Sequence, residues 1–196
     1  STTRVVDAGG NRVIPGLIDA HVHLIGGGLQ LSRLNLREVR SRDEFIAAVA
    51  ERARRTPSGQ WILGGRWSTE SRPDPAPPTK ELIDAVTPNN PGYLPRMDGH
   101  SALVNSAALK LAGIDRAGPP DPPGGMIDRD AKSGEPTGFL REAAADLVSR
   151  LIPPDPPAEQ DRALTAAMPE AHRHGITTVH TMSPWSEVAA LARARD

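Results

Sequence analysis

A short apolar run, Leu17-Ile18-Asp19-Ala20-His21-Val22-His23-Leu24, follows the turn signal Pro15-Gly16 and leads into Gly26, Gly27 and Gly28. Its length and bounding residues predict a buried strand over 17–24 and a flexible loop behind it. Near the other end, residues 158–174 predict a helix stopped by Gly175 and followed by the β-branched run Ile176-Thr177-Thr178-Val179-His180. A glycine-punctuated helix feeding a short apolar strand is the αβ unit of a parallel sheet. The chain is therefore read as α/β.

Between these ends the pattern is mixed. Ser41-Arg42-Asp43-Glu44 reads as a helix start, with Phe45, Ile46, Val49 and Ala53 at helical spacing up to Thr56-Pro57. Residues 61–67 and 93–97 predict strands, and helices are expected near 79–86, 105–112 and 140–151. Three proline clusters, within 73–78, 119–123 and 153–157, read as stiff connectors, because proline lacks the amide donor and fixes φ. No internal repeat is evident.

Composition narrows the chemistry. The chain has 196 residues, no cysteine and a formal charge of −1, so disulfides and thiolate metal sites are excluded, and any metal must use histidine and carboxylate ligands. The near-neutral balance gives no electrostatic reason to expect nucleic acid or an anionic membrane as partner. No apolar run approaches the roughly 20 residues that span a bilayer, and the first residues are not a signal peptide. A soluble, cytoplasmic protein is expected.

Two of the six histidines stand out. His21 and His23 lie two apart on a strand, so both imidazoles leave the same face and can meet one ion at the strand's C-terminal end. They are half a site, since a catalytic zinc needs further protein ligands and an open position for water. Lys132 lies in a polar turn and reads as solvated. His172 and His174 close a helix whose dipole favours positive charge there.

The run Pro15-Gly16-Leu17-Ile18-Asp19-Ala20-His21-Val22-His23-Leu24 resembles the first-strand signature of the amidohydrolase superfamily, metal-dependent hydrolases built on a (β/α)₈ barrel. Further blocks follow in the order typical of the amidohydrolase-3 branch, which includes N-substituted formamide deformylases: residues 61–67, 96–109 (Arg-Met-Asp-Gly-His-Ser and onward), 134–142 (Gly-Glu-Pro-Thr-Gly-Phe-Leu-Arg-Glu) and 174–180. The resemblance implies an incomplete (β/α)₈ barrel carrying a large α+β insertion. It divides the chain into the end of an N-terminal β-sandwich (1–14), the first barrel strand (15–24), the insertion (25–157), and the first barrel helix with the second strand (158–196). A closed barrel takes about 250 residues, so a piece of a longer enzyme is expected.

In that family one or two divalent metals sit on the paired histidines of strand 1, a lysine or glutamate of strand 4, histidines of strands 5 and 6 and an aspartate of strand 8. Only His21 and His23 find a match in this sequence. The implied cofactor is a divalent metal, zinc first, with iron or manganese open. The implied reaction is hydrolysis of a carbon–nitrogen, amide-type bond of a small molecule. Three residues are expected to meet substrate. His100 sits in a turn expected to open a helix, where backbone amides and an imidazole can converge on an oxygen. Glu142 reads as a metal or substrate carboxylate or as a helix-surface acid, and His180 ends a strand on the face where barrel active sites collect. Homo-oligomerisation is expected, because an incomplete barrel exposes strand edges. The rival readings are an inactive, self-associating fragment and a small histidine metal-binding module without turnover.

Overall fold

The computed structural model describes residues 3–70 and 76–195. Residues 73–75 of the first proline cluster therefore lie outside the described residues. The chain divides into two compact units, Ser1–Leu31 with Pro156–Asp196, and Ser32–Asp155.

In the first unit, β1 (Leu17–Val22) runs into α1 (Leu24–Ser32), and α6 (Pro157–Arg173) leads to β8 (Ile176–Thr181) and α7 (Trp185–Arg193). β1 and β8 form a two-stranded parallel sheet in which Leu17 pairs with Ile176 and Val22 with Thr181. Ile25 and Leu29 of α1 bury against Ala163 and Leu164 of α6 and Ala190 of α7. Two expectations change here. The strand is not buried: Leu17 and Ile18 are both exposed. The glycine run is not a loop: Gly26, Gly27 and Gly28 lie inside α1. The physical reason is packing. A Cβ at position 28 would stand 1.9 Å from the carbonyl oxygen of Ala163, so only glycine lets the two helices approach this closely.

The second unit is a six-stranded mixed sheet in the order β2-β3-β4-β5-β7-β6, from β2 (Leu34–Asn35), β3 (Ile62–Gly65), β4 (Gly92–Pro95), β5 (Ser101–Val104), β6 (Gly125–Arg129) and β7 (Pro136–Glu142). Its helices are α2 (Arg42–Arg55), α3 (Glu81–Asp84), α4 (Ser106–Leu111) and α5 (Ala143–Ser149). Ser41 caps α2, its hydroxyl accepting the Glu44 amide at 3.1 Å, as the sequence pattern predicts. Leu103 and Phe139, paired across β5 and β7, join one core with Phe45, Ile62 and Trp67. Their neighbours Ala102 and Leu140, also paired, join a second with Ala108, Ile127 and Val148. Because strand residues alternate between faces, the sheet is covered on both sides.

Two further expectations are corrected in this unit. The turn at residues 98–100 opens β5 rather than a helix, and α4 starts only after the cap residue Asn105. Residues 140–142 belong to β7 and not to a helix, since Leu140 and Arg141 are held by both β5 and β6. Strands β2, β5, β6 and β7 and helices α1 and α7 are additions to the elements the sequence predicts.

Candidate metal and substrate sites

His21 lies in β1 and His23 immediately beyond it. Their ring centres are 5.9 Å apart and the planes meet edge to face at 74°. Two imidazoles bound to one tetrahedral ion through nitrogens about 2 Å from it have ring centres roughly 5 Å apart, somewhat closer than the separation here. Both residues are exposed, and among the described residues neither ring has a hydrogen-bond partner. Asp19, two positions earlier, accepts the backbone N–H of His21 at 3.0 Å and steadies the strand end. Among the described residues no cluster of three or more histidine and acidic side chains is placed to hold a metal.

His180 stands one position before Thr181, the register partner of Val22. Because β1 and β8 are parallel, it occupies the same C-terminal end of the sheet as the pair. Beside that end lies a largely apolar cleft of about 290 Å³, bounded by Val22, His23, Leu31, Ala167 and Ile176, with Glu170 and His174 among its polar residues.

His100 and Glu142 belong to the other unit, and the sheet brings them face to face. Ser101 pairs with Arg141 and Ala102 with Leu140. The same antiparallel register sets residue 100 opposite residue 142, where side chains stand on one face within about 5 Å at Cβ. The Glu142 amide donates to the His100 carbonyl at 2.7 Å, and Glu142 Oε2 lies 3.1 Å from His100 Nδ1. The hydrogen bond from Glu142, then its charge, raises the His100 pKa above the ordinary histidine value, with Asp98 adding to the effect. Glu142 also has φ 49° and ψ −130°. A non-glycine residue held in so sparsely populated a region costs on the order of 1–3 kcal/mol and persists only when its surroundings enforce it. Its register partner Gly125 approaches the next residues so closely that a Cβ there would meet the Ala144 amide nitrogen at 2.3 Å.

The two residues line a pocket of about 320 Å³ together with Tyr93, Ser101, Ala143 and Asp146. Burial, then the charge of Asp146, pushes the Tyr93 hydroxyl pKa up. The sequence reading missed both Tyr93 and Asp146.

The raised His100 pKa carries a pH dependence. A group whose folded pKa lies above its unfolded value stabilises the fold fully below the unfolded value, 6.5 here, and loses that contribution as pH rises through the folded value. The gap in urea midpoint between the parent and Glu142→Gln is therefore expected to be wider at pH 6 than at pH 9. An equal gap at both values would contradict a charge-assisted pair.

Known proteins resemble this chain in sequence and in fold. The chain is 45% identical over 177 residues to Protein LONG AFTER FAR-RED 3 of Arabidopsis thaliana, covering 90% of this chain and 30% of that protein. It is 39% identical over 146 residues to the N-substituted formamide deformylase of Arthrobacter pascens, covering 74% and 27%. The fold resembles the crystal structure of an uncharacterized metal-dependent hydrolase from Pyrococcus horikoshii, with a TM-score of 0.63 at 21% identity over 91% of this chain and 33% of that one. The chain thus spans about a third of the length of the curated relatives it matches. The family model of the amidohydrolases, in its amidohydrolase-3 branch, matches residues 4–195, and the chain belongs to that family.

Proposed function

We propose that this chain contributes half of the metal site of a hydrolase that cleaves carbon–nitrogen, amide-type bonds of small molecules. The observation that carries the reading is the His21–His23 pair: two unpartnered imidazoles, 5.9 Å apart, at the C-terminal end of a parallel strand pair. His21 and His23 would hold a divalent metal, zinc by preference with iron or manganese as alternatives, which would polarise a carbonyl and lower the pKa of a water. Asp19 restrains the backbone at His21. His180 lines the same strand end, and His100 and Glu142 meet the substrate's polar groups. The barrel reading extends this to a longer protein, in which β1 and β8 are the first two barrel strands, residues 25–157 are an insertion and further ligands complete the site. The name of the Arthrobacter relative supports an amide-type substrate.

Calorimetric titration with Zn²⁺, Fe²⁺ and Mn²⁺ tests the reading. Weak saturable binding is expected, lost in His21→Ala and in His23→Ala, with amide hydrolysis appearing only when a longer chain is assayed. Binding unaffected by either substitution would overturn it. Stoichiometric tight binding by this chain without turnover would favour a metal-binding module instead. The exposed apolar residues Leu17, Ile18 and Trp185 favour self-association as a second property, which light scattering reads as mass.

A further inference from the structure

We infer that His100 is a nucleophile for acyl transfer that works without a metal, with Glu142 as its positioning residue, and that the pocket they line cleaves esters with good leaving groups. The inference rests on the reading that His100 and Glu142 meet substrate, and it adds a chemical step at that place.

The arrangement is an imidazole oriented by a carboxylate. Glu142 Oε2 lies 3.1 Å from His100 Nδ1, and the Glu142 amide donates to the His100 carbonyl at 2.7 Å, so one residue holds both ring and backbone. A carboxylate only accepts. In the neutral ring the proton therefore sits on Nδ1, and Nε2 carries the lone pair. Nε2 has no hydrogen-bond partner among the described residues, and the pocket of about 320 Å³ gives room beside the ring for a small acyl group. Glu142 turns from β7 into α5 with φ 49° and ψ −130°, a strain of the kind that collects at functional sites.

Among the described residues His100 and His174 are the two histidines that meet a carboxylate. They differ in what else that carboxylate holds. Glu170, 3.3 Å from His174, also accepts from Arg173, which takes up its charge. Glu142 pairs with no cation but His100 among the described residues. Of the charges nearby, Asp98 on the same turn is paired with Arg96 at 3.0 Å, and Arg141 of β7 is turned to Asp128 of β6 at 2.8 Å. Asp146 of α5 and Tyr93 of β4 line the same pocket.

In the step itself Nε2 attacks the ester carbonyl, a carbon–nitrogen bond forms, and the phenolate leaves with the electron pair of the broken carbon–oxygen bond. The positive charge this puts on the ring faces the Glu142 carboxylate across the Nδ1–H bond. Water then adds to the acyl carbon, the carbon–nitrogen pair returns to Nε2, and the carboxylate product departs as two protons pass to solvent.

The test is hydrolysis of p-nitrophenyl acetate by the full chain in excess EDTA, followed across the titration range of histidine. His100→Ala is expected to lower the rate about tenfold, less than an enclosed base contributes, since the pair is exposed. Were the six histidines equally reactive, the loss would be about a sixth, which is the most that His174→Ala should cost. The rate should rise with pH as the ring loses its proton, and later than for free imidazole, because Glu142 favours the charged ring. In Glu142→Gln, whose side-chain oxygen still accepts from Nδ1–H, that rise should move to lower pH, with a rate between those of the parent and His100→Ala. A loss of a sixth or less in His100→Ala, an unmoved pH midpoint in Glu142→Gln, or a rate abolished by EDTA would overturn the inference. Metal is chelated in this assay and the calorimetric titration contains no ester, so failure of the metal reading and failure of this one are told apart.

Discussion

Trp67→Ala is expected to destabilise the unit Ser32–Asp155 by about 4 kcal/mol, read as a fall in the urea midpoint of its unfolding. Trp67 is 1% exposed. Its ring meets Phe45 edge to face at 6.4 Å and Phe139 at 5.8 Å, and the Arg96 guanidinium lies 6.0 Å from its centre. Truncation would open a cavity between the rings of Phe45 and Phe139 and remove the donor that its Nε1–H supplies to the Leu94 carbonyl at 2.8 Å. Trp67→Phe separates the two effects. It keeps most of the volume and removes the hydrogen bond, so a loss nearer 1–2 kcal/mol is expected. If both variants unfold at the parental urea concentration, Trp67 is not the centre of this core.

The second large effect concerns two adjacent glycines of α1 and has opposite signs. Gly28→Val is expected to destabilise the first unit by about 3 kcal/mol, because its Cβ would meet the Ala163 backbone and neither helix can retreat without opening the contact of Ile25 and Leu29. Gly27 has open space around its Cβ position, so Gly27→Ala should stabilise by roughly 0.5–1 kcal/mol through helix propensity alone. Hydrogen exchange of the α6 amides reads both. Equal effects of the two substitutions would mean that propensity, and not interhelical approach, decides the role of these glycines.

These residues also show why the sequence was only partly legible. Gly26-Gly27-Gly28 read as a loop because three glycines in a row are poor helix formers. The compensation comes from Ala163, 135 positions away, and no local window contains it. The helix α2 was legible to its first residue because a cap and an amphipathic stripe are both local. Strand β6 and the last residues of β7 were not, since Gly125–Arg129 is a strand only by virtue of its partner. Of the candidate site, His21 and His23 were legible as a pair from their spacing. His100 and Glu142 were visible singly, and nothing in the chain between them announced that they touch.

What the sequence determined by itself is whatever a few consecutive residues can impose. That comprises the α/β class, the cap of α2, the strand that leads to the histidine pair, the exclusion of thiolate chemistry and the family to which the motifs point. What only the tertiary structure decided is whatever depends on register between distant segments. The antiparallel alignment of β5 with β7 joins His100 to Glu142, the approach of α1 to α6 makes a helix of the glycine run, and the parallel pairing of β1 with β8 sets His180 at the end that holds the histidine pair. The division follows from range. Propensities and caps act within one or two turns of chain, whereas a strand register is chosen by the burial of both faces of a sheet at once.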